Sequence, residues 1–223
     1  MMLQIENFLQ AEAVAMLLDL VEQGRFEDGR ATAGAELQSV KANEQLRITE
    51  REGRVIQKVL LPAMERNQAF QSFAWPRRLH VPRLSRYRVG MEYGAHIDNP
   101  IMGGADPIRT DLSMTLFLSD PTTYEGGELI LETAFGEQSV KMPAGGAVVY
   151  STAFLHRVAP VSRGERIALV TWIQSLVKSP DQRQILSDIA IARENLKRTG
   201  GDPAALTQLL KIQTNLLKMW SEV

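Results

Sequence analysis

The runs LSRYRV (84–89), DLSMTLFL (111–118), GELILE (127–132), QSVKM (138–142), GAVVYS (146–151), HRVAPV (156–161) and RIALVTWI (166–173) decide the fold. Each is short and bounded by clusters of Gly, Pro, Asn or Asp, the punctuation of strands. Seven or eight such strands between Leu79 and about Ser175, with no helical period between them, predict a sandwich or barrel. A parallel α/β sheet would need intervening helices. Within DLSMTLFL, Leu112, Met114, Leu116 and Leu118 share one face, and Ser113, Thr115 and Phe117 share the other. One apolar face and one mixed face suit a sheet that borders a polar cleft, so Ser113, Thr115 and Phe117 are expected to face a cofactor pocket.

Helical periods flank this region. Leu9, Val14, Leu17, Leu18 and Val21 predict a first helix ending at Gly24, followed by a loop at roughly Phe26 to Ala35. A second helix is expected over about Arg51 to Phe70, with Val55, Val59, Leu60 and Met64 on its apolar side and Pro62 bending or breaking it. After Ser179-Pro180, Asp181–Arg198 and Pro203–Trp220 read as two helices separated by Thr199-Gly200-Gly201-Asp202, a stop followed by a cap. The expected division is a domain over 1–177, with helices to about 75 and a strand-rich core over about 79–177, and a helical extension over 178–223. Leu206, Leu209, Leu210, Leu216, Leu217 and Trp220 give that extension an apolar surface that either covers the core or forms a homodimer seam.

The 223 residues include 25 basic and 26 acidic side chains, a net charge of −1, so no global positive field draws the chain to nucleic acid. No run of 18 apolar residues is present, and no membrane span is expected. The N-terminal stretch carries Glu6, Glu12, Asp19 and Glu22 and does not read as a signal peptide, which makes the cytoplasm the expected location. Cysteine is absent, which excludes disulfide scaffolds, thiol nucleophiles and Cys-based metal sites. Any metal must be held by His, Asp and Glu, and the histidines are only His80, His96 and His156.

His96-Ile97-Asp98 is the first chemical feature. On a strand, residues two apart project to the same face, so imidazole and carboxylate would point together while Ile97 points into the opposite layer. His156 lies on a different expected strand. Two histidines and one carboxylate can form a facial triad with open positions, suited to Fe(II), although zinc takes the same ligands. Arg166 stands where a turn enters a buried strand. A guanidinium there needs a carboxylate, supplied either by a dicarboxylate ligand or by a local acid such as Glu165. The segment Asn99–Arg109 is either a lid or an ordinary surface loop, and Arg77, Arg78, Arg83, Arg86 and Arg88 either face an anionic substrate or a polypeptide, or form a solvated strand face.

The pattern Tyr87-x-x-Gly90-x-x-Tyr93-x-x-His96-x-Asp98, followed by His156 and by Arg166 ten residues on, resembles the Fe(II)- and 2-oxoglutarate-dependent dioxygenases of the prolyl 4-hydroxylase type. It is most similar to the bacterial PKHD-type hydroxylases along HIDNPIMGGADPIRTDLSMTLFLSDPTTYEGGELILE and GGAVVYSTAFLHRVAPVSRGERIALVTWIQS. The resemblance implies an α+β chain with a double-stranded β-helix (jelly-roll) core. It implies His96, Asp98 and His156 as iron ligands, and Arg166 as partner of the distal 2-oxoglutarate carboxylate. Tyr87 would be a further donor in that pocket, and L-ascorbate the reductant. The expected reaction hydroxylates a small-molecule or peptidyl substrate with O₂, releasing succinate and CO₂. Some prolyl hydroxylases carry a hydroxyl residue four positions past the basic residue. Here that position is Val170, so Tyr87 or Thr115 would supply the second contact. Trp172 matches a tryptophan of related hydroxylases and is equally suited to a core anchor. From another class, a non-catalytic jelly-roll module sensing iron or a metabolite would use the same ligands without releasing succinate.

Overall fold

The computed structural model describes residues 2–223. The first third holds β1 (Met2–Ile5), α1 (Ala11–Gln23), β2 (Phe26–Asp28), β3 (Lys41–Ala42), β4 (Glu44–Leu46), α2 (Glu50–Arg66) and α3 (Gln68–Ala74). Then follow β5 (Pro76–Leu79), β6 (Arg83–Tyr87), β7 (Glu92–His96), β8 (Ile101–Met102), β9 (Ile108–Arg109) and β10 (Leu112–Phe117). The remaining strands are β11 (Glu125–Gly126), β12 (Leu129–Thr133), β13 (Gly136–Val140), β14 (Ala147–Ser151), β15 (His156–Val158), β16 (Val161–Arg163) and β17 (Arg166–Ser175). The chain ends in α4 (Pro180–Arg198) and α5 (Pro203–Trp220).

Two antiparallel sheets face one another as a jelly roll. The larger runs β1-β14-β10-β17-β6-β4-β2, with β5 also on β17, and the smaller runs β13-β12-β15-β7-β3. Strand alternation gives the larger sheet two different faces. Leu84, Leu112, Met114, Leu116, Ala147, Val149, Leu169 and Ile173 point to the helices, where they pack with Leu17, Ile56, Leu60 and Phe70. Phe117, Val148 and Tyr150 point the other way and pack with Leu129, Leu131, Val140 and Met142 of the smaller sheet and its edge. Each large apolar side chain buried this way contributes about 1.5–3 kcal/mol. All six residues of β10 are consequently buried, so its mixed face is enclosed between two sheets and reaches solvent only through a cavity.

The helices follow local chemistry. α2 opens with a capping box, Thr49 and Glu52 satisfying each other's backbone N–H groups. The expected interruption at Pro62 does not occur there: α2 runs on to Arg66, and Pro62 lies on its exposed face, where a carbonyl freed of its partner meets water. The break falls at Asn67, whose side chain accepts a 2.9 Å hydrogen bond from the Phe70 N–H and starts α3. α4 begins at the Ser179 cap, and its Arg183, 2% exposed, donates to the carbonyls of Val177 and Lys178 at 2.7 and 2.8 Å. A bridge between Val177 and Ser221, and an Arg109–Glu222 ion pair of 2.6 Å, tie the end of the chain back to the core.

The expected loop at Phe26–Ala35 is instead a short strand followed by a 3-10 turn over Gly29–Thr32. Likewise, Asn99–Arg109 is a small hairpin of β8 and β9, held by Arg78 through Asp106 and the Pro107 carbonyl.

Candidate active site

His96 closes β7 and His156 opens β15, and the two are direct partners in the antiparallel pair. The register between these strands shifts, Val158 pairing with Tyr93, so Gly94 and Ala95 on β7 oppose Arg157 alone on β15, three steps against two. This bulge lets Tyr93 and His96, three apart in sequence, project to the same side, and their rings stack at 3.6 Å. Gly94 lies inside it, where a Cβ would meet the Val40 Cβ at 2.8 Å. Asp98 lies two residues past the end of β7, in the loop. Ile97 is 54% exposed and borders the cavity, so it does not enter an opposite apolar layer: the strand has ended before it and the alternation no longer applies.

Ligand atoms of His96, Asp98 and His156 lie within 4.8 Å of one another. Each imidazole is oriented from behind, with Nδ1 2.8 Å from the Gly94 carbonyl in His96 and 3.0 Å from the Phe154 carbonyl in His156. Nδ1–H donating to a carbonyl leaves each Nε2 lone pair free, the tautomer a metal requires. Burial, and then the neighbouring His156, push His96 down to about 3, so its ring is neutral. His156 Nε2 is 3.7 Å from Asp98 Oδ2, and that buried oxygen has no hydrogen-bond partner among the described residues. Two imidazoles with Nε2 turned inward and an unsatisfied carboxylate oxygen fit a divalent cation such as Fe(II). His80 is elsewhere, edge-on to Trp172 at 5.5 Å.

The triad opens into a cavity of about 110 Å³ between the sheets. β17 places Arg166, Val170 and Trp172 on its wall, β6 places Arg83, Ser85 and Tyr87, and β10 places Ser113 and Thr115. Arg166 is 2% exposed and has neither an ion pair nor a side-chain hydrogen bond among the described residues, and its buried Nε is without a partner. Glu165 does not serve it, because that carboxylate lies 3.4 Å from Arg88. The Arg166 guanidinium is 5.1 Å from the Tyr87 ring and 5.5 Å from the Phe117 ring. A buried guanidinium with no carboxylate is a costly arrangement that a bound carboxylate would relieve. Tyr87 is 4% exposed, its phenol pushed above the usual range by burial. Thr115 pairs across the sheet with Val170, so a hydroxyl does stand in the layer where β17 lacks one. Phe117 is part of the packed wall beside Arg166 and does not border the open space.

Some wall residues were not singled out from the sequence. Tyr150 lines the cavity from β14, edge-on to His156 at 5.3 Å, its phenol raised chiefly by burial. Its place two residues after Val148 in a strand next to β10 was the available signal. Lys41 and Asn43 come from β3 and the residue after it, in a segment too short and polar to read as a strand. Tyr93 is pushed up to about 12 by burial and then by the Asp98 charge.

The jelly roll thus brings two histidines and an aspartate together above a buried arginine, and the sequence model of the 2OG-Fe(II) oxygenase superfamily matches residues 82–174. A PKHD-type hydroxylase of Thermosynechococcus vestitus is 43% identical and one of Maricaulis maris 46% identical, each over the whole length of both chains. The chain belongs to this family, the PKHD-type hydroxylases, and is a 2-oxoglutarate-dependent hydroxylase that uses Fe(II), 2-oxoglutarate and O₂. The crystal structure of a Pseudomonas putida prolyl-4-hydroxylase shares the fold with TM-score 0.61 at 22% identity, over 78% of this chain and 92% of that one.

Proposed function

We propose that His96, Asp98 and His156 hold the iron and that Arg166 binds the distal carboxylate of 2-oxoglutarate, in an enzyme hydroxylating a small-molecule or peptidyl substrate. The observation that carries this reading is Arg166, a buried guanidinium without a carboxylate in the cavity that the triad overlooks. Bound iron supplies the activation of O₂, one oxygen atom going to succinate as 2-oxoglutarate loses CO₂ and the other to a substrate C–H bond.

The side chains prepare the site in other ways. The Gly94 and Phe154 carbonyls fix both imidazoles and turn Nε2 of each toward the metal position. Arg166 offers a planar fork to a carboxylate, and Thr115 offers a hydroxyl from the adjacent strand. Tyr87, neutral because it is buried, keeps its phenolic proton as a donor to the same ligand. Phe117, Leu129 and Val158 exclude water from the walls around these groups.

The rest of the proposal concerns the surroundings. Residues 1–177 form the catalytic domain, and 178–223 a helical cover that packs through α4 on α3. Ile191, Leu210 and Met219 stay exposed as the surface a second copy would use. Among the described residues no helix is long and apolar enough to cross a membrane. A cytoplasmic location, ascorbate as reductant and the absence of a nucleic-acid partner complete the reading, the last supported by the near-neutral charge.

The test is an anaerobic titration of Fe(II) and 2-oxoglutarate followed by visible absorption, then exposure to O₂ with succinate measured. A charge-transfer band and succinate are expected from the wild type, and neither from H96A or D98A. Succinate from H96A at the wild-type rate would refute the ligand assignment.

A further inference from the structure

The cavity carries more positive charge than the reaction above requires. Arg166, Arg83 and Lys41 all line it, and Asp98 is the one carboxylate among its lining residues. A ferrous ion and a doubly charged diacid cancel, so the loaded cavity keeps three cationic side chains against one anionic. Arg83 projects inward from β6 on the face that holds Ser85 and Tyr87, its guanidinium carbon 5.3 Å from the Trp172 ring centre. Among the described residues it forms no ion pair, and its hydrogen bond runs to the Thr32 carbonyl at 3.2 Å. Three arginines near it in sequence are neutralised: Arg78 by Asp106, Arg86 by Glu44, and Arg88 by Glu44 and Glu165. Arg83 alone of these four is turned to the cavity.

Lys41 is the second surplus cation. It is 4% exposed, donates to the Thr32 hydroxyl at 2.9 Å, and lies 5.0 Å from the Tyr93 ring. It too lacks an ion pair among the described residues. Thr32 therefore receives both cations, one on its carbonyl and one on its hydroxyl, and brings them to one side of the cavity. Burial, followed by the charge of Arg83, lowers Lys41 to about 8, against the charges of Asp98 and Asp28, which raise it. Like charges held together away from water are unfavourable until an anion joins them.

We infer that Arg83 and Lys41, with the Trp172 ring beside them, recognise an oxyanion group, carboxylate or phosphate, carried by the substrate that is hydroxylated. This rests on the assignment of Arg166 to 2-oxoglutarate, since an Arg83 that held the cosubstrate would not be free for another acid. The guanidinium fork suits a planar or tetrahedral oxyanion, and the indole offers a flat apolar surface to the carbon skeleton attached to it. A substrate presenting an amine would add a fourth cation and is disfavoured.

The test uses protein loaded with Fe(II) and 2-oxoglutarate under argon and titrated in a calorimeter with inorganic phosphate, benzoylglycine, or benzoylglycinamide as the uncharged control. Wild type and R78Q, which removes the same charge outside the cavity, should bind at least one anion saturably and the amide weakly. R83Q should lose about tenfold or more in affinity for that anion, the effect of a charged hydrogen bond, and K41M should weaken it in the same direction. Binding of phosphate alone or benzoylglycine alone identifies which acid the site takes. Saturable binding of neither anion by wild type overturns the inference, as do equal affinities of acid and amide, or of R83Q and wild type. Loss of the 2-oxoglutarate band in R83Q would place Arg83 in the cosubstrate site and also overturn it. Absence of that band from wild type overturns the underlying assignment, and the inference falls with it.

Discussion

Replacing Arg166 by methionine should move stability and cosubstrate affinity in opposite directions. The side chain is 2% exposed and has no ion pair among the described residues, so without a bound acid the guanidinium is held away from water with no counter-charge beside it there. Exchanging such a group for an apolar one of similar length is neutral to stabilising by about 1 kcal/mol or more. For a chain of this size that is a rise in Tm of about 2–4 °C per kcal/mol. Loss of a two-point pair removes two charge-assisted hydrogen bonds of about 1.5–3 kcal/mol each, and water recovers part of that. A net loss of about 3–4 kcal/mol weakens 2-oxoglutarate by about 150- to 900-fold. Calorimetric melting without ligand gives the first quantity, and anaerobic titration of the visible band gives the second. An R166M protein that melts no higher than wild type and binds 2-oxoglutarate within threefold of it would refute the reasoning.

Three further outcomes are expected. Thr115→Val should weaken 2-oxoglutarate by about tenfold, one hydrogen bond to a charged group, and Val170→Thr in that background should recover part of the loss from the paired position; equal affinities of T115V and wild type would remove Thr115 from the pocket's working set. Lys41, lowered from 10.5 to about 8, gives a pH dependence: between those values the unfolded chain holds a proton that the folded chain has released, so stability rises with pH. Wild type should gain about 2–3 kcal/mol relative to K41M between pH 8 and 10.5 in denaturant melts, and parallel profiles would contradict the assignment. Pro62→Ala should stabilise by about 1–3 kcal/mol, because α2 passes through that position unbroken; a lower Tm for P62A would show that the ring makes contacts worth more than the missing hydrogen bond.

The strands that bury both faces, β10, β14 and β17, were legible because apolar residues dominate them and Gly, Pro or Asp marks the chain near their ends. β1, β3 and β4 were not. They are two to four residues long, and β3 and β4 are polar, so their pairing with longer strands is decided by tertiary contact and leaves little local trace. The triad was visible because three histidines in the whole chain leave few combinations, and Arg166 was visible because it begins an apolar run. Arg83 was hidden among neighbouring arginines: period-2 alternation separates it from Arg86 and Arg88, but no sequence rule says which face of β6 is the inner one until the register with β17 is known. Glu165 shows the same limit, since it lies in the turn just before β17 and its carboxylate reaches Arg88 instead of its sequence neighbour.

The bulge in β7 ties the integrity of the centre to a single count of residues. Because three positions there span what two span on β15, deleting one residue between Tyr93 and His96 would restore a regular ladder and turn one of the two rings toward the opposite side of the sheet. A shortened β7 would therefore give a well-paired sheet with a dismantled site. The hairpin at 101–109 begins beyond Asp98, so a change in its length leaves the register of the two histidines alone, whereas a change in this three-residue step does not.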